Sequence, residues 1–298
     1  QLASISFLLE KAESLILIRH HTKTAIMLTM RASSHWILIS ANIKDTIKLL
    51  FATPALAAGV VFQRKRMQIY TAKTYELLTE EEGKLCGLLD RDRIRGIAAI
   101  RSRKERVRSI FAGLLLRHAF LQAGYDIETW QQVEIQRGAY GKPYIKGVHG
   151  FHYGLSHSGE WVACAVDSVP VGIDLQEMKP WKMTLARRFY HEKEYDRLLA
   201  LDGDDQVRQT EEFYSMWTAK ESAVKLSGRG IGAGISQYVT TEDYSAVYDL
   251  DSGRTYYTKR YDTLKGYMIC VCSEAKSFPN LLPKSVDFGK YEMEGNRC

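Results

Sequence analysis

Two long stretches of helical periodicity, 101–122 and 211–226, lie far apart in the chain among short strand-like runs, and this alternation restricts the fold most. In the first stretch Val107, Ile110, Phe111, Leu114, Leu115 and His118 follow i, i+3, i+4 spacing, with Gly124 as a stop. The second ends at Ser227-Gly228. Runs 68–75, 133–135, 161–166, 171–176, 238–250, 254–261 and 267–273 read as strands. Shorter helices are predicted from a Thr79 cap followed by three glutamates, and over 185–189 and 192–201. Asp167-Ser168-Val169-Pro170 reads as a hairpin turn between 161–166 and 171–176. The pattern predicts an α+β protein of two similar-sized halves. With 298 residues, 45% of them hydrophobic, the chain has the material for a core without disulfides or a structural metal.

The net charge of +6 is confined to one end. Of the 41 bases and 35 acids, nine and three fall in residues 1–66, and the other 232 residues carry 32 of each. The main body is therefore not a nucleic-acid binder by bulk charge, and any anion site in it is local. Residues 1–66 hold apolar clusters at 15–18, 36–39 and 49–62 without clean periodicity, and the 14-residue run 49–62 is too short to span a bilayer. The chain opens on Gln1, and a regular pattern starts at Met67 after Arg64-Lys65-Arg66. The expected organisation is a leader or extension over 1–66, a functional domain over 67–290 and a tail over 291–298. The alternative for 1–66 is an added helix or hairpin packed on the core. Cys86, Cys164, Cys270, Cys272 and Cys298 lack zinc spacing and are read as reduced thiols of a cytoplasmic protein.

Five clusters carry candidate chemistry. In Val171-Gly-Ile-Asp174-Leu-Gln176, strand alternation sets Asp174 and Gln176 on one face, where a carboxylate suits a hard divalent cation. Trp217, Glu221 and Lys225 share a helix face, with Lys220 one step around. The plain reading of Glu221 and Lys225 is a surface ion pair, and the functional one is a metal-binding or basic carboxylate beside ammonium groups poised for phosphate. Gly228, Gly230 and Gly232 permit a close-approach loop after them. Ser156-His157-Ser158-Gly159 reads as a turn whose hydroxyls and imidazole can hold phosphate oxygens. Gly141-Lys142-Pro143 offers a fixed turn and a point charge but lacks Walker spacing. Arginines 91, 93, 95, 101, 103, 106 and 108 form mostly solvated helix surface, of which one or two suit a ligand phosphate.

In this order and spacing, Gly141-Lys142-Pro143, Ser156-His157-Ser158, Gly172-Ile-Asp174 and Trp217-x-x-Lys220-Glu221-x-x-x-Lys225-x-x-Gly228 resemble the 4′-phosphopantetheinyl transferases of the surfactin type, from about Met67 to Ser273. The resemblance implies two pseudo-symmetric α/β halves, 67–168 and 169–290, with the active site in the cleft between them. It implies Mg²⁺-dependent transfer of phosphopantetheine from coenzyme A to a serine of an apo acyl or peptidyl carrier protein of nonribosomal peptide, polyketide or fatty acid synthesis. Adenosine 3′,5′-bisphosphate is the other product. By motif match Asp174, Gln176 and Glu221 would be the metal ligands, and Glu221, Asp174 and Lys225 the catalytic groups. Arg108, Lys142, Pro143, Ser156, His157, Lys220 and Lys225 would bind coenzyme A, with Arg93 and Arg95 as looser matches. Glu221 is the better base for the carrier serine and Glu194 the weaker one. Many relatives carry Glu where this chain has Gln176, which predicts weaker metal affinity. It also leaves an alternative, a non-catalytic coenzyme A or carrier-protein binding module. A monomer with no nucleic acid or membrane partner is expected.

Overall fold

The computed structural model describes the backbone of residues 14–20, 23–32, 35–42 and 290, and residues 67–201, 205–230, 234–276, 278 and 282–289 with side chains. The chain divides into two compact units, Gln1–Gln63 and Arg64–Cys298. In the first, β1 (Ser14–His20), β2 (Lys23–Ala32) and β3 (His35–Asn42) form an antiparallel meander. Strand backbone thus occurs where the sequence shows no clean periodicity. The expectations for 49–62, the tail 291–298, Gly232 and Cys298 lie outside the described residues.

The second unit opens with β4 (Gln68–Lys73), followed by α1 (Thr79–Cys86), α2 (Arg91–Ala98), α3 (Arg103–Gln122) and α4 (Ile127–Gln131). A small hairpin of β5 (Ile135–Arg137) and β6 (Pro143–Ile145) leads to β7 (His152–Ser158), β8 (Trp161–Asp167) and β9 (Val171–Glu177). Helices α5 (Met183–Phe189), α6 (Glu192–Leu199) and α7 (Gln206–Ser227) come next. The remaining strands are β10 (Tyr238–Thr240), β11 (Ala246–Asp249), β12 (Arg254–Tyr261), β13 (Tyr267–Ser273) and β14 (Lys284–Ser285). They assemble as a four-stranded sheet β14-β4-β8-β7 and a five-stranded sheet β10-β11-β12-β13-β9, so the unit is mixed α/β.

Each sheet carries one long helix. Ser102 caps α3, whose Ile110, Phe111, Leu115 and Leu116 are fully buried, and α3 packs on β4, β7 and β8. Helix α7 packs on β9 and β13, buries Met216, Ala219 and Ala223, and ends at Gly228. There φ of +75° and an N–H bond to the Val224 carbonyl make a left-handed stop that glycine adopts without a Cβ penalty. The α1 cap is Leu78 rather than Thr79; Glu81 reaches back to its N–H, and Thr79 is the first helical residue. The run 238–250 is two strands, broken where Tyr244 turns to φ +58°. Cys86, Cys164, Cys270 and Cys272 are free thiols.

The hairpin expected around Asp167–Pro170 does not form. β8 pairs with β7 and β4, while β9 crosses to the other sheet and pairs with β13. β7 faces the free edge of β9 instead, and serine side chains replace the ladder. Ser156 Oγ accepts from Leu175 N–H at 3.1 Å, and Ser158 Oγ from Glu177 N–H at 3.0 Å. Two hydroxyls at strand period two thus join the sheets and satisfy buried amides that would otherwise cost about 1–3 kcal/mol each. Ser156, His157 and Ser158 are therefore strand residues, not a turn.

Candidate active site

At this seam β9, β7 and α7 bring five predicted residues together, Asp174, Gln176, Ser156, Glu221 and Lys225. Asp174, 1% exposed, receives Lys225 Nζ at 2.6 Å and Ser156 Oγ at 2.9 Å on Oδ1, and Gln176 Nε2 at 3.2 Å on Oδ2. Lys225 Nζ also reaches Ser156 Oγ at 2.9 Å. Lys225 therefore turns to Asp174, and the Glu221–Lys225 surface pair is not made. Glu221, also buried, makes no hydrogen bond or ion pair with any described residue. Burial, and then the Asp174 charge, push its carboxyl up to about 7, against a smaller opposing pull from Lys225.

Among the described residues no three His, Cys, Asp or Glu side chains converge as a metal site. The donor chemistry nonetheless suits a hard divalent ion. Two carboxylates repel each other in a buried position, one of them is unpartnered, and a carboxamide stands beside them. Gln176 turns its NH2 to Asp174 and its Oε1 to Ser158 Oγ at 3.4 Å, so offering oxygen to an ion on the pair requires turning the amide over.

Charged side chains gather around His157 next to this pair. His157 is exposed to solvent, yet desolvation by surrounding protein, ahead of its charged neighbours, lowers its pKa. Those neighbours include Arg108, Lys225 and Arg93, opposed by Glu105. Arg108 pairs with Glu105 at 2.9 Å, but its buried Nε has no hydrogen-bond partner among the described residues. Arg93 is tied to Asp90 at 3.6 Å and to the Ser109 carbonyl at 3.4 Å, whereas Arg95 is exposed and paired with Asp92. The arrangement presents fixed positive charge, an imidazole, and the buried Nε donors of Arg93 and Arg108, which have no hydrogen-bond partner among the described residues.

A family model described as the 4′-phosphopantetheinyl transferase superfamily matches residues 170–272. The chain is 34% identical over 179 residues to the 4′-phosphopantetheinyl transferase Sfp of Bacillus subtilis, covering 59% of this chain and 78% of that protein. The chain belongs to the 4′-phosphopantetheinyl transferase superfamily. It is also 34% identical over 169 residues to the transferase psf-1 of Bacillus pumilus (56% of this chain, 70% of that one). With the human L-aminoadipate-semialdehyde dehydrogenase-phosphopantetheinyl transferase it shares 26% over 194 residues, 55% of this chain and 62% of the human one.

Other predicted residues of the transferase stand elsewhere. Lys220 is wholly buried: its Nζ lies 2.5 Å from Glu194 Oε2 and 5.0 Å from the Tyr190 ring centroid, so it pairs in the core and not with Asp174. Glu194 is 1% exposed, with Oε1 accepting from Thr240 N and Oγ1 and Oε2 from His191 N and Lys220, which leaves no oxygen for a substrate proton. Lys142 is half-buried, and its Nζ bonds two backbone carbonyls, those of Val171 and Leu226. Pro143 starts β6. Sequence reasoning missed Ser158 as a seam residue and Glu194 as the partner of Lys220. The Ser-x-Ser spacing on a strand was the available signal for the first; the second is a tertiary contact with no local trace.

Proposed function

We propose that this transferase moves 4′-phosphopantetheine from coenzyme A to a serine hydroxyl of an apo carrier protein, releasing adenosine 3′,5′-bisphosphate, in a Mg²⁺-dependent reaction. The observation that carries the reading is the buried Asp174–Glu221 pair, with Asp174 Oδ2 held by a single N–H and Glu221 without a hydrogen-bond partner among the described residues. Asp174 and Glu221 would hold the ion, joined by Gln176 after its amide turns. An ion held there would supply positive charge against the negative charge that develops on the pyrophosphate as its anhydride bond breaks. Lys225, Arg108 and His157 bind the phosphates and hold them in line. Glu221, the carboxylate of the pair that has no other partner among the described residues, takes the proton from the carrier serine, directly or through a water. Ser156 fixes Lys225 and Asp174 relative to each other.

The halves are read as 67–168 and 169–290, each with one long helix on a sheet, with β14 of the second returning to the sheet of the first and the site in the cleft between them; the tail 291–298 and residues 1–66 are left out of the catalytic fold. The supports are that α3 and α7 each cover one sheet and that the site residues come from β7 of the first half and from β9 and α7 of the second. A cytoplasmic monomer suits this reading. Among the described residues no helix is long and apolar enough to cross a membrane. The deciding experiment incubates the full chain with apo carrier protein, coenzyme A and Mg²⁺ and weighs the carrier. A gain of one phosphopantetheine mass is expected. Coenzyme A binding with no mass gain on any of several carriers would leave the binding-module alternative.

A further inference from the structure

The contact between β9 and α7 is closed from two sides. Gly172 lies directly under the helix: a Cβ there would sit 2.0 Å from the Ser222 carbonyl oxygen and 2.8 Å from Leu226 N. Both are backbone atoms that no rotamer change can move aside, so only glycine permits this spacing. On the other side Lys142 Nζ donates to the Val171 carbonyl at 3.2 Å and to the Leu226 carbonyl at 2.9 Å. Val171 begins β9, and Leu226 belongs to the last turn of α7, where carbonyls lack partners within the helix. One ammonium ties the start of the strand to the end of the helix. Asp174 stands two residues beyond Gly172, and Glu221 and Lys225 immediately precede the two helix residues that touch it, Ser222 and Leu226. The same contact therefore sets how far the strand carboxylate lies from the groups on the helix.

We propose that Lys142 is a positioning residue of the transfer reaction. It staples α7 onto β9 at Gly172 and so fixes the spacing of Asp174 from Glu221, rather than gripping a coenzyme A phosphate. This rests on the transferase reading above. The decisive variant is Lys142→Met, which keeps the aliphatic stem and removes both bonds. In EDTA, calorimetry should give a coenzyme A Kd within about twofold of the wild type. With Mg²⁺ and carrier, kcat should fall about tenfold or more, because sub-ångström displacement of reacting groups is costly. The Mg²⁺ needed for half-maximal rate should rise several-fold, and Lys142→Arg should recover part of the loss.

A coenzyme A Kd weakened about tenfold in EDTA with kcat retained would make Lys142 a phosphate ligand and overturn the staple. So would a lowered melting temperature with every binding and kinetic constant unchanged. If Lys142→Met does not fold, Lys142→Gln, which keeps one donor, is put through the same comparison, and the same results support or overturn the staple. A wild-type chain that binds coenzyme A and Mg²⁺ but transfers nothing overturns the transferase reading instead. The staple is then judged on Mg²⁺ affinity by calorimetry, which Lys142→Met should weaken and which, if unchanged, overturns it.

Discussion

Helix α7 carries two lysines that each meet a buried acid, and the two pairs are built differently. Lys220 and Glu194 are sealed: both side chains are at most 2% exposed, and every glutamate oxygen is used. Lys225 and Asp174 are open: the lysine is a third exposed, and a second, bare carboxylate stands beside the pair. A saturated ion pair has nothing left to offer a ligand and serves to hold α6, α7 and β10 together. An unsaturated one stores repulsion that an incoming cation or proton relieves. Adjacent positions on one helix, Lys220 and Glu221, thus divide stability from chemistry.

The largest expected effect breaks the sealed pair. Lys220→Met leaves Glu194 charged and buried without its partner, at a cost of about 3–5 kcal/mol, or roughly 6–15 °C in Tm by calorimetry. The same change at Lys225 should cost less than about half as much, since solvent screens that ammonium, while lowering activity. Equal losses at both positions would erase the contrast.

Next in size is Glu221→Gln, which should reduce kcat about 10²–10³-fold with the fold intact. It also has a metal-free signature. The folded protein holds the Glu221 proton up to about 7, against an ordinary 4.5, so the folded state binds more protons than the unfolded chain between those values. Stability in EDTA must therefore fall as pH rises from about 4.5 to 7. Gln carries no charge and escapes that loss. The variant should melt above the wild type at pH 8 and alongside it at pH 4, and a lower melting point at pH 8 would show that burial and Asp174 together do not disfavour the Glu221 charge.

Much of this is legible in the chain, for local reasons. Helices α3 and α7 announce themselves by periodicity and by Ser227-Gly228, and β13 by its apolar run. Asp174 and Glu221, each weak alone, stand out through the ordered motif set that carries the family resemblance. What fails is non-local. A turn sequence such as Asp167–Pro170 marks a change of direction but not the partner of the next strand, and β9 finds β13, about a hundred residues on, while serines on β7 take its other edge. Lys220 reads as a phosphate ligand because it adjoins Glu221, yet a step of about 100° around the helix sends it into the core. Lys142 reads the same way because a lysine in a Gly-Pro turn looks free, and its carbonyl partners lie 29 and 84 residues away.

A smaller change sharpens the open pair. Gln176 now donates an N–H to Asp174 Oδ2 at 3.2 Å. Gln176→Glu replaces that donor with a third negative charge, which should lower Tm in EDTA by a few degrees, roughly 1 kcal/mol. It should also reduce the Mg²⁺ concentration for half-maximal rate several-fold. An unchanged Mg²⁺ requirement would place this side chain outside the ion's ligands.

The smallest effect concerns His157. Desolvation lowers its pKa, with Glu105 opposing and Arg108, Lys225 and Arg93 adding to the fall. A bound phosphate offsets the cationic neighbours and raises its affinity for a proton, so coenzyme A binding should take up part of a proton near neutrality. By linkage the Kd for coenzyme A in EDTA should weaken by about two- to fivefold from pH 6 to pH 8. Calorimetry in two buffers of different ionisation heat measures the proton directly. His157→Gln should abolish the uptake while retaining a donor for the phosphate. Persistence of the pH dependence in that variant would assign the proton to the phosphate's own second ionisation instead.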